Sequence, residues 1–256
     1  MKIVKIPLIA AAVLVLGWVL CPVPLGRRCV DPDEVMERPL FSLTSMHAPI
    51  PGRRLSLIKR NYSTLVEGGD TIDGRPVWTL RLKPSRKDFP WKQVWVDKNT
   101  GAIRACRDWS SRNEIKRSTK TSGVSRSPAQ VPAQKLNLIV HHCYGGESRR
   151  DALRKARGLL GYTFPRPRYV PACFELAVVE VDNTDGDLHL VYSDGLYVLS
   201  VFIGPTADRA ARSIQANRAY DWGQGLAFLT SAHGRSALIV ADLPVEEIEK
   251  IAGSVQ

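Results

Sequence analysis

The stretch PWKQVWVDKNTGAIRACRDW, residues 90–109, decides how the first half of this chain is read. It holds three tryptophans and alternates apolar with polar residues about a central DKNTG. Residues 92–96 and 102–107 both keep the two-residue period of a strand. Asp97, Asn99 and Gly101 supply turn chemistry, with Gly101 suited to the left-handed conformation that closes a short loop. The stretch is therefore predicted to be a β-hairpin. Trp91 and Trp95 fall on one face and Val94 and Val96 on the other, so both faces are expected to bury something.

Upstream, RPVWTLRLKP (75–84) places Trp78, Leu80 and Leu82 on one face and Thr79, Arg81 and Lys83 on the other. Before it, NYSTLVEGGDTIDG carries turn signals at Gly68-Gly69 and Asp73-Gly74. These pieces predict an antiparallel meander. Residues 31–59 show little periodicity and receive no assignment.

Downstream, residues 113–134 lose large apolar side chains and gain Ser, Thr, Lys, Pro and Gln. Within them, 122–134 is the expected interdomain linker, held extended by Pro128 and Pro132. ESRRDALRKARGLLG then reads as a basic amphipathic helix, with Ala152, Leu153, Ala156, Leu159 and Leu160 as its apolar stripe and Gly161 as its stop. CFELAVVEVD, DLHLVYS, LYVLSVFIG, GLAFLTSA and RSALIVADL are all strand-like, with tight turns at Asp194-Gly195 and His233-Gly234. PVEEIEKIAG closes the chain as a short helix whose Val245, Ile248 and Ile251 would dock on the sheet. The fold class is α+β. A first sheet module covers 31–121, and a small antiparallel sheet with helices at both ends covers 135–256.

The chain opens MKIVKIPLIAAAVLVLGWVLCPVPLG, with Lys2 and Lys5 before the uncharged run 6–25. Residues 1–26 thus read as an export signal or a single membrane anchor, and acylation at Cys21 is a third option. The protein is expected outside the cytoplasm. Its formal net charge of +11 then favours anionic lipid, polyanionic envelope material or an acidic protein as partner, and disfavours nucleic acid. Arg149, Arg150, Arg154, Lys155 and Arg157 crowd one short helix, which makes that helix the candidate surface for an acidic partner. Of five cysteines, Cys29, Cys106, Cys143 and Cys173 lie beyond the leader, and they are read equally as buried thiols or as bridges in any of three pairings.

No nucleophile elbow, zinc-protease, phosphate-loop or dinucleotide motif is found, so no enzymatic activity and no cofactor is expected. HHCYGGE groups His141, His142, Cys143 and Glu147, but adjacent histidines on a strand point to opposite faces. It is read as a strand ending in a Gly-Gly turn. VDNTDGD, with Asp182, Asp185 and Asp187, lacks the terminal glutamate of a calcium loop and is read as a hairpin turn.

Taken together, three stretches carry a resemblance to the MucB/RseB family of bacterial envelope regulators. They are DGRPVWTLRLKP with PWKQVWVDKNTGAIR, PRPRYVPACFELAVVEV with LHLVYSDGLYVLSVFIG, and ADLPVEEIEKIAGSV. The first module also resembles the LolA-like lipoprotein-sorting fold. The resemblance implies a partial half-barrel sheet followed by a smaller α+β domain. It implies binding to the extracytoplasmic part of a membrane anti-sigma factor or a similar envelope protein. For the LolA-like part it implies acyl-chain carriage in an apolar hollow, which would draw on Trp78, Leu80, Trp91, Trp95 and Ile103. The chain departs from the family pattern before Asn61, where the early strands of the half-barrel are missing or compressed.

Overall fold

The computed structural model describes residues 51–110, 115–120, 138–143, 148–182, 184–212, 214–221 and 225–256. The expected signal or anchor (1–26) and the expected linker (122–134) lie outside the described residues.

The predicted hairpin is present as β3 (Trp91–Asp97) and β4 (Ile103–Trp109), paired antiparallel with Val94 opposite Cys106 and Trp91 opposite Trp109. Its turn closes because Asp97 Oδ1 accepts the backbone N–H of Asn99 and of Thr100, each at 3.0 Å. Gly101 takes φ 70°, as the loop requires. With β1 (Tyr62–Ile72), β2 (Arg75–Pro84) and β5 (Ile115–Lys120), the hairpin forms a five-stranded meander in the order β1-β2-β3-β4-β5. Two expectations change here. Gly68-Gly69 is a bulge inside β1, between Glu67 and Asp70, and not a turn. A side chain at Gly68 would meet the Trp78 ring at 2.9 Å, so the bulge lets the strand cross that indole. The unassigned stretch before Asn61 contributes α1 (Pro51–Asn61).

The second sheet is the larger of the two among the described residues, with seven antiparallel strands against five; the expectation of a small second sheet is corrected. Its strands are β6 (Leu138–His142), β7 (Glu175–Asp182), β8 (Asp187–Ser193), β9 (Val198–Ile203), β10 (Ala219–Asp221), β11 (Leu226–Ala232) and β12 (Arg235–Ala241). The order β10-β11-β12-β9-β8-β7-β6 places β12 beside β9, after α3 (Pro205–Ala211) has carried the chain across the sheet. One face packs α2 (Arg149–Leu160) and α4 (Val245–Gly253) over Val179, Leu190, Val201 and Ile239. The opposite face takes α3 at one end and Leu57 of α1 at the other.

Local chemistry accounts for both predicted helices. Ser148 caps α2 by accepting the Asp151 N–H, and Gly161 ends it at φ 70°. Ala152 and Ala156 of its stripe are fully buried, whereas Leu159 is 42% exposed and stands outside the stripe assigned to it. Ile248 and Ile251 of α4 are buried as their spacing predicts.

The two sheets share no strand, and a buried polar junction joins them. Asn61, at the end of α1, donates its side-chain amide to the carbonyls of Cys173 (2.8 Å) and Asp194 (2.9 Å). The Tyr62 hydroxyl donates to Asp194 Oδ2. Asp194 Oδ1 accepts the backbone N–H of Leu196 (2.9 Å) and Tyr197 (2.7 Å), which shapes the β8–β9 turn. That turn then inserts Leu196 and Tyr197 against the core of the first sheet, and the Tyr197 hydroxyl donates to the Trp91 carbonyl at 2.8 Å. Burial, together with the Asp194 carboxylate, pushes the Tyr62 hydroxyl well above the usual tyrosine range. Replacing Tyr62 by Phe removes one donor from a buried carboxylate and is expected to cost about 1–3 kcal/mol. Urea unfolding at neutral pH measures this; an unchanged midpoint would show that the junction contributes nothing.

Candidate functional site

Strand register sorts the first sheet into two faces, because directly opposed residues share a side. The inner face carries Leu80, Val94 and Cys106 in one row, with Trp78, Val96 and Ile103 in the next. Ile58 and Tyr62 fill it from one side, and Leu196 and Tyr197 of the second sheet close it from another. The outer face carries Leu65, Arg81, Gln93, Arg107 and Ser118 in one row. The neighbouring rows hold Trp95 and Ala105 on one side, and Trp91, Trp109 and Ile115 on the other.

The five residues proposed for an apolar hollow are therefore divided. Trp78, Leu80 and Ile103 lie on the inner face, within the packed core cluster. Trp91 and Trp95 lie on the outer face. There Trp91 stacks on Trp109 with ring centroids 4.6 Å apart and planes 6° from parallel. The Arg107 guanidinium lies over Trp95 at 5.3 Å, and Lys83 lies over Trp91 at 5.8 Å. Trp78 carries Lys98 over its ring at 4.1 Å. Alternation predicted the two faces, but Trp109 as stacking partner needed the register of β3 on β4, which the sequence leaves open.

The basic helix is brought together as its spacing predicts. Arg149, Arg150, Arg154, Lys155 and Arg157 are all exposed on α2. Arg154 pairs with Asp151 at 2.6 Å, an exposed contact worth little in water. The helix thus presents a dense positive surface beside its buried Ala152 and Ala156.

Two carboxylates of the second module tie it to segments outside it. Glu175, at the start of β7, accepts from Arg53 (2.7 Å) and Arg60 (2.8 Å) of α1. Glu247 of α4 accepts from Arg86 of the β2–β3 connection (3.1 Å), from the Tyr169 hydroxyl (2.7 Å) and from Lys250 (3.1 Å). Burial would raise both carboxyls, but the guanidinium groups and, at Glu247, the Tyr169 hydroxyl outweigh it and hold both below the usual range. A cleft of about 850 Å³ opens beside Glu247, between the Arg86–Phe89 connection and the start of α4.

The remaining sequence candidates resolve into structural roles. Cys106, Cys143 and Cys173 form no disulfide. His141 and His142 sit opposite Val179 and Val178 in successive register positions of β6 on β7, and Glu147 lies outside the described residues. Asp182 Oδ1 accepts the Thr184 N–H in the β7–β8 turn. Asp187 accepts the Thr206 N–H (2.7 Å) and hydroxyl (2.6 Å), which pins the start of α3. Among the described residues, no group of three metal-ligating side chains converges and no helix is long and apolar enough to cross a membrane.

This pair of sheets is a MucB-like fold. Two solved structures match 78% of the chain at a TM-score of 0.51: the MucA/MucB complex of Pseudomonas aeruginosa, at 17% identity, and MucB in complex with MucA(peri), at 16%. The chain spans 66% and 69% of those two chains. No family model matches it, and no curated protein does.

The bridging carboxylates give the fold a defined acid response. Each has a lowered folded pKa, so its stabilisation is present above the unfolded carboxylate value, about 4.3 for Glu. That stabilisation is lost as pH falls through the folded value. The urea midpoint is expected to fall below about pH 4.5, and the double substitution Glu175→Gln, Glu247→Gln should flatten the fall. An unchanged acid slope in the double variant would remove these bridges from the account of stability.

Proposed function

We propose that this chain is a non-enzymatic, extracytoplasmic regulatory protein that binds the exposed part of a membrane anti-sigma factor or of a similar envelope-signalling protein. The observation that carries the reading is the fold shared with MucB, whose solved structures include its complex with MucA. The apolar opening of the chain supports an extracytoplasmic location. The basic face of α2 supports an acidic contact. Charges of that kind steer encounter and set salt dependence more than they set final affinity.

The inner face of the first sheet, filled by Ile58, Leu196 and Tyr197, supports protein binding over acyl-chain carriage. Residues 31–121 and 135–256 are proposed as the two domains, joined by the linker at 122–134.

Deleting the gene should shorten the half-life of a membrane anti-sigma factor in the same cell, read by pulse-chase immunoblotting. Restoring the chain with Arg149, Arg150 and Arg154 replaced by Ser should give partial rescue. In vitro, association with that factor's extracytoplasmic part should slow as salt rises past ~0.15 M, where screening acts within about 8 Å. Unchanged half-lives for every membrane anti-sigma factor in the deletion strain would overturn the reading.

A further inference from the structure

We propose that the open edge of the first sheet pairs with the same edge of a second copy of this chain, joining two five-stranded sheets through an antiparallel β1–β1 ladder. This goes beyond the binding-protein reading above and does not depend on it.

β1 closes one side of the five-stranded sheet, and among the described residues no strand lies beyond it. Hydrogen bonds fix which way its backbone groups point. The Ser85 N–H donates to the Asn61 carbonyl at 2.8 Å, so the register turns Ser63, Leu65 and Glu67 toward Lys83, Arg81 and Thr79 of β2. Pro84, which has no N–H, falls opposite Tyr62, as this alternation demands. Thr64 and Val66 therefore direct their N–H and C=O groups away from β2, toward the open side. Such a row is a template for another extended backbone.

The sequence of this edge is self-complementary. Residues 62–66 read YSTLV, with no charge, proline or glycine to discourage pairing. Ser63 is exposed, and Leu65, at 53%, is the most exposed large hydrophobic side chain among the described residues. The opposite edge, β5, reads IKRSTK, and pairing it with its own copy would gather like charges. About a two-fold axis at Leu65, Thr64 of each copy opposes Val66 of the other, and each such pair exchanges two backbone hydrogen bonds. Leu65 then meets Leu65 across the axis in a close pair, which covers the surface that one copy leaves exposed. Ser63 opposes Glu67, so no like charges meet. The bulge between Glu67 and Asp70 ends the ladder there. A ladder this short buries less than a standard interface, so the dimer is reversible.

The test uses purified full-length protein in dodecyl maltoside, oxidised with copper phenanthroline over a dilution series and read by non-reducing electrophoresis. Wild type, with its own cysteines, is the blank. Leu65→Cys should cross-link to twice the chain mass about tenfold more than Ser63→Cys, because the added thiols meet in the first case and sit on Cα atoms about 14 Å apart in the second. The product should fall on dilution. Ser63→Cys and Glu67→Cys chains carrying different tags should cross-link to each other when mixed, and neither to itself. Thr64→Pro, which removes only an outward N–H, should abolish the Leu65→Cys product and leave the thermal midpoint unchanged.

Equal cross-linking at positions 63 and 65 overturns the proposal, as does a product that survives Thr64→Pro in a folded chain. If that variant does not fold, the mixed Ser63→Cys and Glu67→Cys chains decide alone. No product above wild type overturns it too. In that case a thiol at position 65 that reacts with maleimide leaves the edge open to the strand of another protein, and one that does not react shows the edge covered by this chain itself.

Discussion

The carboxylate of Asp194 is buried between two sheets that share no strand, and the relation of the sheets follows from how it is satisfied. One oxygen shapes the β8–β9 turn through the Leu196 and Tyr197 amides, and the other receives the Tyr62 hydroxyl at the first residue of β1. The turn that ends one hairpin of the second sheet is therefore also the plug of the first sheet's core. Asn61 adds two further bonds from its side chain, so the end of α1 is fixed in the same place. Charged bridges at Glu175 and Glu247 flank this centre, nearer the solvent. Buried and fully engaged polar groups specify one arrangement, because any displacement strands several of them at once.

From that fixed relation the two faces of the first sheet take their environments. The inner face of the first sheet is packed against Ile58, Tyr62, Leu196 and Tyr197, with the junction at its edge. The strand period of two then decides which tryptophan does what. Trp78 goes inward beneath Lys98, while Trp91 and Trp95 go outward to meet Trp109 and Arg107. A single hairpin rich in indole thus serves a core on one side and a stacked aromatic surface on the other.

Much of this was legible in the residues themselves. Strong local signals were enough wherever they occurred: DKNTG for the hairpin turn, the Gly161 stop for α2, and the isoleucine spacing for α4. What escaped had weak or misleading local chemistry. The strand β5 reads IKRSTK, with Ile115 as its one apolar residue, because it is an edge strand. The helix α1 carries several basic residues and few apolar ones, and Leu57 and Ile58 face two different cores. Gly68-Gly69 looks like a turn because a bulge and a turn both exploit glycine. The junction was not legible at all. Asp194 reads as an ordinary turn residue, and only the approach of Tyr62, 132 positions away, makes it the centre of the molecule.

If the two sheets form one body through Asp194, they unfold together. Equilibrium denaturation followed by tryptophan emission, weighted towards the first sheet by Trp78, Trp91, Trp95 and Trp109, should superimpose on denaturation followed by far-ultraviolet circular dichroism, to which the strands of both sheets contribute. Coincident transitions in the wild type that separate on Asp194→Ala are the expected result. Two resolved transitions in the wild type would contradict it, since the sheets would then be independent domains with the junction as a mere contact.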